Sequence, residues 1–511
     1  MISPYYARKK QSLRAQWGAE NTARTQAIPA PVTGWNTRDA LAAMEPTDAV
    51  LLDNWFPTTG KVTIRPGYSE FATGMSGNVD TLAEYEATTT HKLIAASDGE
   101  LWDITGGGSA SSLASGFSSN QWQWANFNGR IFFVNGTDAP QDYNGSSVSA
   151  TSWSGTGLTI SNLVGVNVFK NRLFFWERNS QDFWYAGLNF ITGELTKFPL
   201  SRVGETGGNL LTMQTWTIDG GSGPDDFAVF FMTTGEVIVY QGLDPGDAFS
   251  WKLVGRYRIG QPINIRGVIK AGPDVIVSTT QDYVFFSQAF QSGQIGQASK
   301  LSGIVTQEAK TTGTQFGWQT VLWNEGNMVI FNVPKADGSF DQHVINTITR
   351  AACRFVDIPS RCWGVYNKNA YFGSTDGKVY KFDPGVNTDN GSVINADGRQ
   401  AWSSLGTPKT KKVQAVKVAL ESQGGISYEF GIGFDFNDAL TTAATSTASN
   451  QSLWDVALWD VSFWASELVV DSTWRLSGGE GYMISIRIRV AAQQEISWLT
   501  TDYRLEVGRE L

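Results

Sequence analysis

Short apolar runs separated by glycine- or aspartate-bearing turns recur through the middle of the chain. Each unit is an apolar strand, a polar turn and a second strand bearing an aromatic. The instances are KLIAASDGELWDI (92–104), RIFFVNGTDAPQDYNG (130–145), RLFFWERNSQDFWYAG (172–187), AVFFMTTGEVIVYQG (228–242), VIVSTTQDYVFFSQ (275–288), MVIFNVPKADGSFDQHVIN (328–346) and AYFGSTDGKVYKFD (370–383). Several turns are Asp-Gly or Thr-Gly, the chemistry that tight hairpins prefer. The units begin at Lys92, Arg130, Arg172, Ala228, Val275, Met328 and Ala370, a period of about 40–55 residues, which is that of β-propeller blades. A lone hairpin cannot bury both faces, whereas four-stranded blades stacked around an axis can. The pattern predicts an all-β fold with a propeller of six or seven blades over residues 81–385. The uneven spacing allows one hairpin to be an insertion. An irregular series of hairpins in sandwiches is the alternative.

After Pro384 the pattern changes. GVNTDNGSVINADGRQ reads as a polar linker or long loop. In ISYEFGIGFDFND the residues Ile426, Tyr428, Phe430, Ile432, Phe434 and Phe436 fall on one side, and YMISIRIRV and DYRLEV alternate in the same way. Strict alternation is the mark of a sheet buried on one face. It predicts a β-sandwich-like domain over 386–511. Between these strands Trp454, Trp459 and Trp464 recur every five residues, a spacing neither helical nor strictly extended. They read as a strand buried on both faces, or as an exposed aromatic ridge used in subunit contact or, as a further alternative, in sugar stacking.

Residues 1–80 read as an N-terminal arm and an anchoring segment. The first thirty residues carry Arg8, Lys9, Lys10 and Arg14. This stretch is either a solvated tail or an arm that orders on a partner subunit or on DNA phosphate. MEPTDAVLLDNWF predicts a helix, with Pro46 and Asp48 suited to its first turn and Pro57 ending it. TTGKVTIRPGY predicts a glycine turn, a strand holding Val62 and Ile64, and a stop at Pro66-Gly67. In this stretch Trp55 and Phe56 read as hydrophobic anchors between fixed bends.

Charged residues are 17% and aromatics 13% of the 511 residues, with 54 glycines, which suits strands and tight turns. The net charge of −9 argues against a nucleic-acid clamp, which presents a basic face. An acidic wall would still let DNA slide past without sticking. Two cysteines, Cys353 and Cys362, make no disulfide framework and suit a reducing compartment. No signal-peptide core or apolar membrane span is apparent, which suggests synthesis as a soluble protein in the cytoplasm.

The chemistry of catalysis is sparse. His91 and His343 are the two histidines. With Cys353 and Cys362, His343 matches no zinc-ligand spacing. No nucleophile elbow, phosphate loop or HExxH motif occurs. The expectation is a chain with no catalytic, cofactor-binding or metal-binding residues. With 48 acidic residues, a carboxylate pair of the glycosidase kind remains available. A carbohydrate-binding or glycan-degrading propeller is therefore the rival reading. STDGKVYKF and ASDGELWDI resemble the Asp-box turns of sialidase-type propellers, which are structural.

The stretch GWNTRDALAAMEPTDAVLLDNWFPTTGKVTIRPGY, residues 34–68, resembles the opening of tail structural proteins of bacteriophages and prophages. Gly34-Trp35-Asn36, Met44, LDNWFP, Gly60 and Arg65-Pro66-Gly67-Tyr68 carry the likeness. The downstream hairpins are consistent with the tail nozzle, or DNA-stabilisation, proteins of short-tailed phages. That resemblance implies a non-enzymatic virion component, assembled in the bacterial host cytoplasm as a homohexamer around a channel. Its expected partners are the tail adaptor ring, tail fibres or spikes, the genomic DNA in the channel, and the host envelope at infection. Trp55, Phe56, Pro57, Arg65 and Tyr68 become the expected assembly anchor, docked on the sandwich or on a neighbouring subunit.

Overall fold

Each of the seven apolar–turn–aromatic units forms an antiparallel hairpin in the computed structural model. The structure describes residues 23–219, 224–292, 299–437, 441–446 and 469–508. Four of the hairpins lie in separate four-stranded sheets, two lie in blades that belong to larger sheets of ten and five strands, and the remaining one lies in a three-stranded sheet. Numbered along the chain, the first strands of blades 1 to 4 are Val79–Glu86, Gln123–Phe127, Leu163–Phe169 and Leu210–Asp219. The three-stranded sheet follows, starting at Val268–Ala271 and continuing into a short helix, Phe286–Ser292. Blade 5 starts at Gln319–Trp323 and blade 6 at Cys362–Tyr366. Each of these first strands packs beside the next, and the last returns to the first, so the ring closes. The propeller therefore has six full blades, with the smaller sheet standing between blades 4 and 5.

Closure uses a strand from far upstream. Gly67–Thr73 pairs with Val379–Asp383 and supplies the fourth strand of blade 6. Sealing a ring with a strand from the other end of the chain leaves no open sheet edge at the seam. It also ties the start of the propeller to its end, so neither half can open alone.

The aromatic surplus is spent between the blades. Phe174, Trp176, Phe183, Phe230, Tyr240 and Trp251 fill the space between blades 3 and 4. Phe132, Trp153, Phe175 and Trp184 fill that between blades 2 and 3. Flat rings suit these seams because each blade offers a wide, nearly planar face.

The outer strand of blade 5, Ala352–Phe355, does not end the sheet. It pairs with Gly34–Trp35 and touches Asp48–Asp53. The sheet then runs through Ile394–Gln400, Ile484–Ala492, Ile426–Phe434 and Thr442–Ser446, ten strands in all. A second, eight-stranded sheet is built around Lys411–Ser422 and Ile496–Val507, and takes in Trp55–Pro57 and Val62–Ile64. Alternation places Ile484, Ile486, Ile488 and Val490 inward, where they share a core with Val418, Leu420, Trp498 and Tyr503. The propeller and the sandwich thus share one continuous sheet.

Three local expectations change. The segment expected to be helical forms the strands Asp48–Asp53 and Trp55–Pro57. Its Asp48 carboxylate is buried and accepts from Asn36 Nδ2 at 2.8 Å, with Thr33 and Lys300 as further partners. That carboxylate is held by tertiary contacts, and the chain is held between two strands, which together override helix propensity. The polar linker after Pro384 contains a central strand, Ile394–Gln400, whose Ile394, Ala396 and Gly398 are buried in alternation. Arg24–Pro29, assigned to the arm, pairs along the terminal strand from Leu505 to Thr500. Arg8, Lys9, Lys10, Arg14, Trp454, Trp459 and Trp464 lie outside the described residues. Among the described residues no helix is long and apolar enough to cross a membrane.

Gly34 marks a close backbone crossing between the N-terminal segment and blade 5. Its φ is +86°, and a Cβ there would sit 2.4 Å from the Ala352 carbonyl oxygen. Gly34→Ala is expected to cost about 2 kcal/mol, read as a lowered urea midpoint.

Candidate functional site

The sequence-selected anchor residues converge on the joint between blade 5, blade 6 and the sandwich. Arg65 is fully buried, and its guanidinium meets the Asp389 carboxylate in a fork, Nη1–Oδ1 2.8 Å and Nη2–Oδ2 2.7 Å. Nε donates to Asn54 Oδ1 at 2.8 Å, Nη1 also to the Pro66 carbonyl at 3.0 Å, and Nη2 to that of Val356 at 3.2 Å. All five guanidinium N–H groups are thereby used. Asn54 is the second hub: with a φ of 59° it donates to the Asn395 carbonyl at 2.7 Å and accepts from Val356 N at 2.9 Å. Three chain regions far apart in sequence, 54–66, Val356 and 389–395, meet on two side chains.

The aromatic members brace this joint. Trp55 is fully buried with its ring 6.1 Å from that of Trp498. Gly398 lies beneath, since a Cβ there would stand 3.1 Å from Trp55 and 3.2 Å from Trp498. Phe56 packs edge-on to Phe355 at 6.2 Å. The Pro57 carbonyl accepts from Asn346 Nδ2 at 3.0 Å. Tyr68 contacts Phe372 and Tyr380 at 5.0 and 5.3 Å in blade 6. Burial, helped by the Asp389 charge, pushes its hydroxyl up to about 12. Within one chain, then, these residues hold the propeller to the sandwich.

Beside the joint a row of charges crosses the solvent face of the ten-stranded sheet. Arg354 grips Asp53 in a fork, both bonds 2.7 Å. Arg487 grips Asp397 at 2.9 and 2.7 Å, and Arg489 adds a bond of 3.0 Å. Asp53, Asp397, Asp357, Glu429 and Arg489 line a cavity of about 490 Å³. Burial pushes the Asp53 carboxyl up against the pull of Arg354. A glycosidase acid needs a proton to give and an open path to substrate, yet Asp53 and Asp397 are both engaged by arginines.

The propeller axis holds a smaller cavity of about 250 Å³, lined by Gln123, Asn167, Gln214, Arg266 and Gln319 among others. Arg266 is anchored there, donating to the Asp80 carbonyl at 2.6 Å, Thr81 Oγ1 at 2.7 Å and the Trp122 carbonyl at 2.9 Å. The Arg266 and Arg361 guanidiniums both lie over the Phe316 ring, 5.1 and 5.3 Å from its centroid. Burial lowers the affinity of Arg266 for its proton.

The two cysteines are free and buried, their thiols pushed up by burial, Cys362 to about 12. They are unreactive at neutral pH. Among the described residues they do not converge with His343 as a metal set; the carboxylate–imidazole group that does converge is Glu84, Glu86 and His91. His343 is buried, hydrogen-bonded through Nδ1 to Tyr283 Oη at 2.8 Å and edge-on to Trp35 at 5.5 Å. Burial, then Arg354 and Lys335, drive its pKa from 6.5 to about 3. The unfolded chain therefore binds the extra proton first. The stability this contributes is complete above pH 6.5 and is lost as pH falls towards 3. Replacing His343 with Gln is expected to flatten that part of the stability–pH curve, measured as urea midpoints from pH 7 to 4.

Sequence reasoning selected Arg65 but missed its partner. Asp389 sits in NTDNG, where every residue type suits a turn, and no local pattern points across 324 positions. Asn54 was hidden by the helix expectation.

No protein-family model matches the sequence, and no curated protein matches it. Solved structures resemble it weakly. A YCF48 structure bound to a D1 peptide aligns over 62% of this chain and 97% of its own, at 9% identity and a TM-score of 0.39. BBS1N in complex with ARL6DN aligns over 63% and 98%, at 11% identity and a TM-score of 0.39. Raptor of Chaetomium thermophilum aligns over 65% of this chain and 29% of its own, at 11% identity and a TM-score of 0.37. Likeness this distant bears on no function, and the propeller assignment stands on the strand topology itself.

Proposed function

We propose that this chain is a structural component of a bacteriophage tail, forming the distal nozzle of the DNA channel that retains packaged DNA and releases it during ejection. The observation that carries the reading is the work done by residues 34–68. Trp35, Met44, Trp55, Phe56, Arg65 and Tyr68, which bear the family likeness, are all buried. Trp55, Phe56, Arg65 and Tyr68 among them brace the joint between propeller and sandwich, as expected of a part that must hold its shape under load. The axial cavity of about 250 Å³ is far below what a DNA duplex needs. The channel would accordingly lie between copies, with six arranged side by side beneath the adaptor ring. Leu188, Phe190, Leu243 and Phe249 are exposed apolar side chains in loops of neighbouring blades 3 and 4, Phe249 by 89%. They are suited to such copy-to-copy contact. The net charge of −9 favours a wall that DNA slides along.

Particles assembled without the chain are expected to lose packaged DNA to added nuclease, and particles supplied with it to protect that DNA. Full protection in its absence would remove the nozzle role. The rival, a carbohydrate-binding or glycan-degrading propeller, draws on the carboxylate-lined cavity of about 490 Å³. Purified protein is expected to turn over no glycan. Turnover abolished by Asp397→Asn would favour the rival.

A further inference from the structure

The fold assembles a group that spacing along the chain does not announce. Glu84 and Glu86 are two residues apart on the strand Val79–Glu86, so they share a face. Hairpin register sets Glu86 directly opposite His91. One ligand atom from each of the three lies within 4.8 Å of the others. Among the described residues no lysine or arginine forms an ion pair with either glutamate. The adjacent Lys92 is turned to Asp103, 2.9 Å away. The Glu84 carboxylate accepts from the Asn367 backbone N–H at 3.3 Å. Two carboxylates and an imidazole thus face one another with no lysine or arginine paired to them among the described residues.

We propose that Glu84, Glu86 and His91 form a binding site for a first-row divalent transition cation of the Zn²⁺ or Mn²⁺ class, its remaining positions filled by water. An imidazole with two carboxylates selects such ions over Mg²⁺ and Ca²⁺, which take oxygen ligands. The location gives the cation a structural task. Tyr366 Oη donates to the His91 carbonyl at 3.2 Å, and Asn367 N to Glu84. Both belong to the first hairpin of blade 6, so the site sits at the seam where blade 1 meets the closing blade.

The test is clean because the other histidine, His343, is only 1% exposed. Titration of the full chain with Zn²⁺ by calorimetry, and with Co²⁺ followed by visible absorption, is expected to show one equivalent bound and no competition from Mg²⁺. His91→Ala and Glu86→Gln should each weaken binding about tenfold or more. Both side chains are exposed, so both variants should melt like the parent without metal. No binding by the parent chain, or undiminished binding by both variants, would overturn the site.

Discussion

Replacing Asp389 with alanine is expected to lower stability by about 3–5 kcal/mol, because it leaves the Arg65 guanidinium buried without its counter-charge. Arg65 is 0% exposed and the Asp389 side chain 9%, so water cannot restore the lost bonds. The damage should be specific to the joint. Asp389 belongs to the stretch leading into the sandwich, Arg65 to the segment leading into the propeller's closing strand, and Val356 to the exit from blade 5. The first transition in urea should move to lower concentration, with early loss of protection in amides of Gly67–Thr73. A double variant, Arg65→Met with Asp389→Leu, should cost less than the sum of the two single changes, since no lone charge remains. Additive losses would mean that the pair is not coupled as its geometry requires.

Trp55→Ala is the second large effect, also about 3–5 kcal/mol, the range for deleting a fully buried aromatic from a core. The cavity would open between Trp498, Gly398 and the surrounding sandwich core. Trp55→Phe should cost far less, about 1 kcal/mol. The indole Nε1 of Trp55 is buried with no hydrogen-bond partner, so removing that N–H forfeits no bond and relieves a desolvated donor. Thermal melts of the two variants separate shape from polarity: equal losses would mean that the indole nitrogen matters after all. In an assembling particle, Trp55→Ala should reduce incorporation while Trp55→Phe leaves it near normal.

The architecture was legible where the physics is local. Alternation and turn chemistry predict the seven hairpins, because apolar strand faces and Asp-Gly turns are dictated residue by residue. The period of the hairpins predicts the ring. What stayed hidden was decided by distant partners. Asp48–Asp53 carries a plausible helical pattern, and only its neighbours on either side, at Arg354 and at Asp397 to Gln400, make it a strand. The strand Ile394–Gln400 is rich in Asn, Asp and Gly, which local reasoning assigns to a loop, yet it is an interior strand of the shared sheet. The candidate joint was half legible. Trp55, Phe56, Arg65 and Tyr68 stand out as a dense cluster of packing residues, whereas Asn54 and Asp389 look like ordinary turn formers. The Glu84–Glu86–His91 group was invisible for a related reason: its three members are brought together by hairpin register, and their order along the chain follows no ligand spacing.

The central claim, that this propeller–sandwich is a tail nozzle, is most directly tested by electron microscopy of the particle that contains it, with the chain labelled. The account predicts six copies in a ring at the distal end of a short tail, the DNA path running between copies and each propeller axis closed. Labelled chains found as isolated discs with no place in the virion would contradict it.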